Sequence, residues 1–153
     1  MLEFKIEELK LENLEEAIRV IETTFLKFEA PDYSKDGIEN FFKFANYDTI
    51  KENLKRNMKM YVAKVNGKIV GVIGYRDNSH INLLFVLEEY QHNGIAKALY
   101  NLVIDNCKMS RPKKVTVNSS PYAHNVYLKF GFIDENQMQE VDGIKFYPMY
   151  KEI

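Results

Sequence analysis

The chain has 153 residues, with 21 Lys plus Arg set against 22 Asp plus Glu and a formal net charge of −1. A hydrophobic fraction of 46%, carrying ten Phe and ten Tyr but no Trp, supplies a sizeable aromatic core and excludes disorder as the main state. Near-neutral charge argues against nucleic acid as the main partner, since duplex binding rests on clustered excess Lys and Arg; the single cysteine, Cys107, allows no internal disulfide and no cysteine-rich zinc site, and fits a reducing compartment.

The first five residues alternate apolar and charged side chains and hold no signal-peptide core. No run of about 18 apolar residues occurs, so no membrane span is expected. Nothing repeats, and no Pro/Gly/Ser linker divides the chain. The expectation is one cytoplasmic domain over residues 1–153.

Residues 2–8 alternate with period two, as a strand does. Asn13 and Glu16 have the spacing of a capping box, and Leu14, Ala17, Ile18, Ile21, Phe25 and Phe28 make one apolar helical face ending near Pro31. Ser34 is placed to cap a second helix bearing Ile38, Phe41, Phe42 and Ala45, and a short third helix is expected from Asp48. Residues 60–65 and 68–76 then read as two strands joined by the hairpin turn Asn66-Gly67. A further strand is expected over 80–87, and a helix carries Ile95, Ala98, Leu99, Leu102, Val103 and Cys107. Residues 115–117 form a short strand. Ala123, Val126, Tyr127 and Phe130 mark a last helix closed by Gly131, and residues 144–151 a final strand. This order predicts a mixed α/β sheet, parallel where a helix crosses over and antiparallel at hairpins.

The segment with most chemistry joins the strand over 80–87 to the following helix: Glu88-Glu89-Tyr90-Gln91-His92-Asn93-Gly94-Ile95-Ala96. A helix start has unpaired N–H groups and a positive dipole end, and so accepts a phosphate. Gly94 lets the backbone approach such an anion, small Ala96 leaves room, and Gln91 offers a side-chain amide. The segment is neither the G-x-G-x-x-G dinucleotide fingerprint nor a P-loop, which disfavours a generic nucleotide enzyme. An ordinary strand-to-helix turn with one glycine is the alternative reading of the same residues.

Gln91-His92-Asn93-Gly94-Ile95-Ala96 resembles the Q/R-x-x-G-x-G/A signature of the GNAT N-acetyltransferase superfamily, with Ala96 where glycine is commoner. Residues 125–132 resemble the family's second motif, which ends Y-x-K-x-G-F, and residues 66–71 resemble the hairpin between its second and third strands. The resemblance implies a GNAT fold: a mixed, mostly antiparallel central sheet splayed between strands 4 and 5 and flanked by helices. It implies acetyl-CoA as co-substrate, with no metal. Its pantetheine arm would be held by backbone groups of Phe85, Val86 and Leu87, with an N–H near Leu87 stabilising the oxyanion. The pyrophosphate would be held by Gln91, His92, Asn93, Gly94, Ile95, Ala96 and Lys97, with Asn118, Ser119 and Asn125 contacting the arm from the opposite side. Tyr127 matches the family's proton donor to the leaving thiolate, although its spacing also suits the core. His80, opening a strand beside the acceptor cleft, is the candidate general base, with an ordinary strand-end histidine as the alternative. Glu29 and Asp32 can attract a cationic amine, and Tyr33 and Tyr147 can wall the cleft; Cys107 reads as packing. The expected reaction is direct acetyl transfer to a primary amine of a small molecule or protein. A GNAT-like module that binds acyl-CoA or a partner without chemistry is the alternative, and a homodimer is left open.

Overall fold

The computed structural model describes residues 2–153; Met1, which begins the N-terminal stretch considered above, lies outside them. Strand β1 (Lys5–Glu8) is followed by helix α1 (Leu14–Thr24), α2 (Lys35–Phe44) and α3 (Tyr47–Leu54). The strands β2 (Met58–Val65), β3 (Lys68–Arg76) and β4 (His80–Val86) come next, then α4 (Ile95–Met109), β5 (Lys114–Ser119) and α5 (His124–Lys129). Short β6 (Ile133–Asp134) and β7 (Gln139–Val141) precede the long β8 (Ile144–Glu152). Among the described residues no helix is long and apolar enough to cross a membrane.

The sheet runs β1-β2-β3-β4-β5-β8-β6, with β7 paired to β8. Its neighbours are antiparallel except β4 and β5. Strand β3 lies in the middle of the packing and is buried from Ile69 to Tyr75, which is why its sequence reads as an unbroken apolar run rather than an alternation. One face is covered by α1–α3, through Leu14, Ile21, Phe25 and Ile50. The other is covered by α4 and α5, through Ile95, Leu99, Val103 and Tyr127. The hairpin at Asn66-Gly67 has both residues at positive φ (50° and 80°), the backbone that its sequence signals.

Four local expectations change. Asn13 makes no capping hydrogen bond and ends a 3₁₀ turn; Glu16 instead accepts the Ile69 N–H at 2.9 Å, tying α1 to β3. The first helix does not stop cleanly before Pro31: it widens into a π-helical turn, Phe25–Glu29, then a 3₁₀ turn, Ala30–Asp32. The third helix starts at Tyr47, one residue before the expected Asp48, and is capped by Asn46, whose Oδ1 accepts the Thr49 N–H. Strands β6 and β7 are additional to the expected elements; Asp142-Gly143, between Val141 and Ile144, carries the hairpin signal for β7 and β8, with φ of 53° and 79°.

Two features of the sheet position the site. Pairing of β3 with β4 skips a residue, from Gly74↔Leu83 to Tyr75↔Ile81, so Asn82 is the extra residue of a bulge. Strands β4 and β5 pair only at His80↔Thr116 and Ile81↔Val117 and then diverge. Beneath the opening, α4 lies so close to β3 that a Cβ on Gly71 would stand 3.0 Å from Ile95 Cγ2 and 3.3 Å from Leu99 Cδ1. Gly71→Val is therefore expected to lower stability by about 1–3 kcal/mol through overpacking, read as an earlier urea midpoint; an unchanged midpoint would show that α4 can lift away freely.

Candidate active site

Beyond Ile81 the β4 edge facing β5 is unpaired. The Leu87 N–H donates to Val70 O at 2.9 Å, so Phe85 and Leu87 face β3, and by the alternation of an antiparallel ladder Leu84 and Val86 turn their N–H and C=O toward the gap. Gln91 Nε2 donates to the Val86 carbonyl at 3.0 Å, and Gln91 Oε1 accepts from the Tyr122 hydroxyl at 3.3 Å. The Tyr122 ring stacks on Phe28, with centroids 4.7 Å apart. A chain of contacts thus crosses the opening from β4 to the end of the first helix.

At the mouth, His92 (φ 64°) and Gly94 (φ 81°) turn the chain into α4, with Gly94 at the N-cap. Asn93 Nδ2 donates to Tyr90 O and Gln91 O, pinning the turn. Helix α4 has no acidic residue in its first turn, so its free N–H groups and positive dipole end are left uncompensated. A Cβ on Gly94 would meet nothing within 4 Å; the positive φ, not space, selects glycine there. A cleft of about 290 Å³ runs inward from this turn along Val86, Gln91, Ile95 and Val126.

A second cleft, of about 520 Å³, opens on the α2–α3 side along Tyr33, Phe41, Phe44, Asn82 and Asn118. Its roof is held down where α2 meets the β7–β8 turn: Ser34 N–H donates to Gly143 O, and Asn40 Nδ2 donates to Asp142 O at 2.9 Å. The same five residues line both clefts: Glu29, Leu84, Phe85, Ala123 and Tyr127.

Glu29 is 8% exposed. It stands four residues past Phe25, and the π-helical turn swings it into the interior. Burial pushes its carboxyl up to about 7, against a smaller downward pull from a hydrogen bond with Ser120 and a further upward push from Asp32. Tyr127 is 4% exposed, packed edge-on against Phe130 and Phe132. Burial first, then the Glu29 charge, pushes its phenol well above the usual tyrosine range. It therefore stays a neutral O–H beside a carboxylate that titrates near neutrality.

Residues 29–153 match the family model of the GNAT acetyltransferase domain. The chain belongs to the GNAT acetyltransferase family. A GCN5-related N-acetyltransferase of Rhodopseudomonas palustris shares the fold at a TM-score of 0.85 and 17% identity, covering 97% of this chain and 95% of that one. The PaiA N-acetyltransferase of Thermoplasma acidophilum, solved with coenzyme A, gives 0.81 and 21% identity over 99% and 100% of the two chains. The spermidine N-acetyltransferase of Vibrio cholerae, solved with CoA and spermine, gives 0.68 and 15% identity over 97% and 95%. The mixed sheet with its parallel β4–β5 pair is the GNAT fold that the motifs implied.

Within this GNAT domain the residues singled out from the sequence divide between the two clefts. Phe85, Val86, Gln91, His92, Gly94, Ile95, Ala96 and Lys97 line the cleft at the α4 start, and Phe85 reaches the other cleft as well. Leu87 lines neither cleft and spends its N–H on Val70, so the free donors of this edge belong to Leu84 and Val86. The Gln91 amide is not turned toward the helix start but occupied by Val86. Asn118 and Ser119 line the second cleft and not the first, while Asn125 is exposed on α5 and lines neither. His80 also lines only the second cleft. Its Nδ1 is 2.7 Å from Thr116 Oγ1, and burial, then Arg76, pushes its pKa down to about 4. Cys107 is fully buried on α4, its thiol pushed up to about 11 by burial. Tyr147 stacks on His124, with centroids 3.9 Å apart, rather than walling a cleft.

Glu29 carries more of the site than the sequence reading assigned to it. The available signal was a carboxylate on the apolar stripe, four residues after Phe25. Its folded pKa, about 7, lies above its ordinary 4.5, so the folded state holds this proton more tightly than the unfolded chain. The group's contribution to stability is full below pH 4.5 and is lost as pH rises to 7, a cost of about 3 kcal/mol. Glu29→Gln removes the ionisation. Its melting temperature should match the wild type near pH 4.5 and exceed it at pH 8; a difference independent of pH would refute the buried ionisation.

Proposed function

We propose that this GNAT domain is an acetyl-CoA-dependent N-acetyltransferase that moves the acetyl group directly to a primary amine. The observation that carries the reading is that a cleft from the α4 start and a cleft from the α2–α3 side meet at a buried carboxylate and a buried phenol, Glu29 and Tyr127. The first cleft suits the pantetheine arm: its peptide-like groups pair with the free edge of Leu84 and Val86, exchanging with the Gln91 amide. The pyrophosphate then takes the N–H groups that open α4, with Gly94 leaving the approach clear.

Glu29 is the general base. An amine is mostly protonated near neutral pH, and a carboxylate with a pKa of about 7 is both charged enough to draw the ammonium and basic enough to take its proton. His80, pushed down to about 4 and held by Thr116, is a much weaker base and lies away from the junction of the clefts. The neutral amine nitrogen attacks the thioester carbonyl carbon, and the developing oxyanion is met by a free N–H of the β4 edge. The C–S bond then breaks as the sulfur takes the Tyr127 proton and the phenol takes up the second proton of the attacking nitrogen, so CoA leaves as the thiol and Tyr127, held in its neutral form by burial, is restored. Cys107 touches neither cleft, which favours direct transfer over a thioester relay on the protein.

Binding and chemistry are tested separately. Saturating acetyl-CoA or CoA, at about 100 times the dissociation constant, should add roughly 2.7 kcal/mol of stability. Gly94→Glu should abolish that gain, by charge and bulk at the helix start, with the fold intact. Stabilisation by ATP but not CoA would overturn the assignment. For the chemistry, kcat/KM should rise with pH through about 7 on the Glu29 ionisation. Glu29→Gln should remove that limb along with most turnover, and Tyr127→Phe should lower kcat while leaving the limb in place. A CoA-binding protein with no thiol release on any amine would be the non-catalytic module instead.

A further inference from the structure

The second cleft carries chemistry that the transfer reaction itself does not use. Five asparagines line it: Asn40, Asn53, Asn57, Asn82 and Asn118. Two have partners within the protein, since Asn40 Nδ2 donates to Asp142 O and Asn57 Nδ2 donates to Asp77 Oδ1 at 2.8 Å. Among the described residues the side-chain amides of Asn53, Asn82 and Asn118 have no such partner; Asn53 is half-buried and Asn118 exposed, so solvent meets them until a ligand does. Asn82 Oδ1 is, among the described residues, the one buried side-chain polar atom left without a hydrogen bond. It sits on the β4 bulge, against Gly74, where a Cβ would come within 3.0 Å of it.

Charge in the cleft is sparse. Glu29 is the one carboxylate and Arg76 the one permanent cation among the described lining residues. Arg76 Nη1 lies 2.9 Å from Asp77 Oδ2, so its charge is already answered. Once one amine has docked at Glu29, a polyamine would leave further ammonium groups with no carboxylate to meet them. A peptide needs a groove along which its chain can continue. Here the contact of α2 with the β7–β8 turn closes one side, and the volume of about 520 Å³ is that of a small-molecule pocket.

We infer that the acceptor is a small amine on an uncharged, hydroxyl-rich scaffold, of the amino-sugar class, with Asn53, Asn82 and Asn118 as its specificity-determining residues. This rests on the transferase reading above. An amide side chain both donates and accepts, as a hydroxyl does, so three unpartnered amides in one cleft match several hydroxyls on a rigid ring. Phe41, Phe44 and Phe85 supply an apolar surface for the ring's C–H face. The amine is then the one group that needs charge, and Glu29 the one group that offers it.

The test measures thiol release from acetyl-CoA with glucosamine, spermidine or alanyl-alanine amide as acceptor. The expected result is a kcat/KM for glucosamine at least about tenfold above the other two. Asn118→Ala and Asn53→Ala, each removing an amide with no structural partner, should each raise the glucosamine KM about tenfold with kcat and the CoA-induced thermal shift nearly unchanged. Asn82→Ala should act in the same direction. Preference for spermidine or the dipeptide, or an unchanged KM in all three variants, would overturn the substrate class while leaving the transferase in place. Stabilisation by CoA with no thiol release on any amine would overturn the transferase reading and this inference with it.

Discussion

Everything at this site depends on two strands that stop pairing. After Ile81 and Val117, β4 and β5 separate, and the bulge at Asn82 gives β4 the extra twist that starts the separation. A peptide edge in the interior must find partners. In this structure one of them, the Val86 carbonyl, is met by the protein's own Gln91 amide. That carbonyl and the free N–H groups beside it form a ready template for an amide-bearing arm. The absence of regular pairing is what makes the middle of a well-packed sheet able to take a ligand, and both clefts are consequences of it. One enters along the α4 side of the gap and the other along the α2–α3 side.

Where they meet, burial pushes two acids the same way, with different outcomes. It raises the Glu29 carboxyl into the neutral range, where it exchanges protons readily. It raises the Tyr127 phenol further out of reach, so that it remains a donor. The two are linked in one direction, since the Glu29 charge is part of what holds the phenol neutral. One group is thereby left able to gain and lose a proton near neutral pH while the other stays protonated, the kind of separation that acid and base work needs. The stability forgone by keeping Glu29 in the interior is typical of active sites, where local rules are broken for function. The π-helical turn is the backbone feature that delivers Glu29 there.

The sequence was most legible where local chemistry dictates geometry. Asn66-Gly67, Gly94 at the helix start and Ser34 as a cap all do what their residue types require. The apolar faces of α1 and α4 were readable because burial and helical period act together. It was least legible where a long-range partner outbids a local one. Glu16 has the spacing of a capping box, yet its carboxylate serves β3. Gln91 has the place of an anion ligand, yet its amide serves Val86. His80 looks available at a strand end, and only the packing around it reveals the lowered pKa. The π-helical turn leaves no mark that a period of 3.6 can show, so the sequence offers Glu29 as a charge near an amine but not as a buried one. The Asp142-Gly143 turn, by contrast, is legible in its residue types alone.

That turn has a longer reach than its size suggests. Gly37 and Gly143 meet so closely that a Cβ on the first would fall 2.1 Å from the carbonyl oxygen of the second, and one on Gly143 would fall 2.0 Å from Ser34 Oγ. Neither position can accept a side chain without pushing helix and hairpin apart, and both elements border the larger of the two clefts. In evolutionary terms the pocket is therefore not free to grow by small increments at this seam. A descendant either keeps both glycines and inherits a cleft of this width, or loses one and reopens the whole side, so the pair would be expected to persist or vanish together across relatives that differ in the amines they accept.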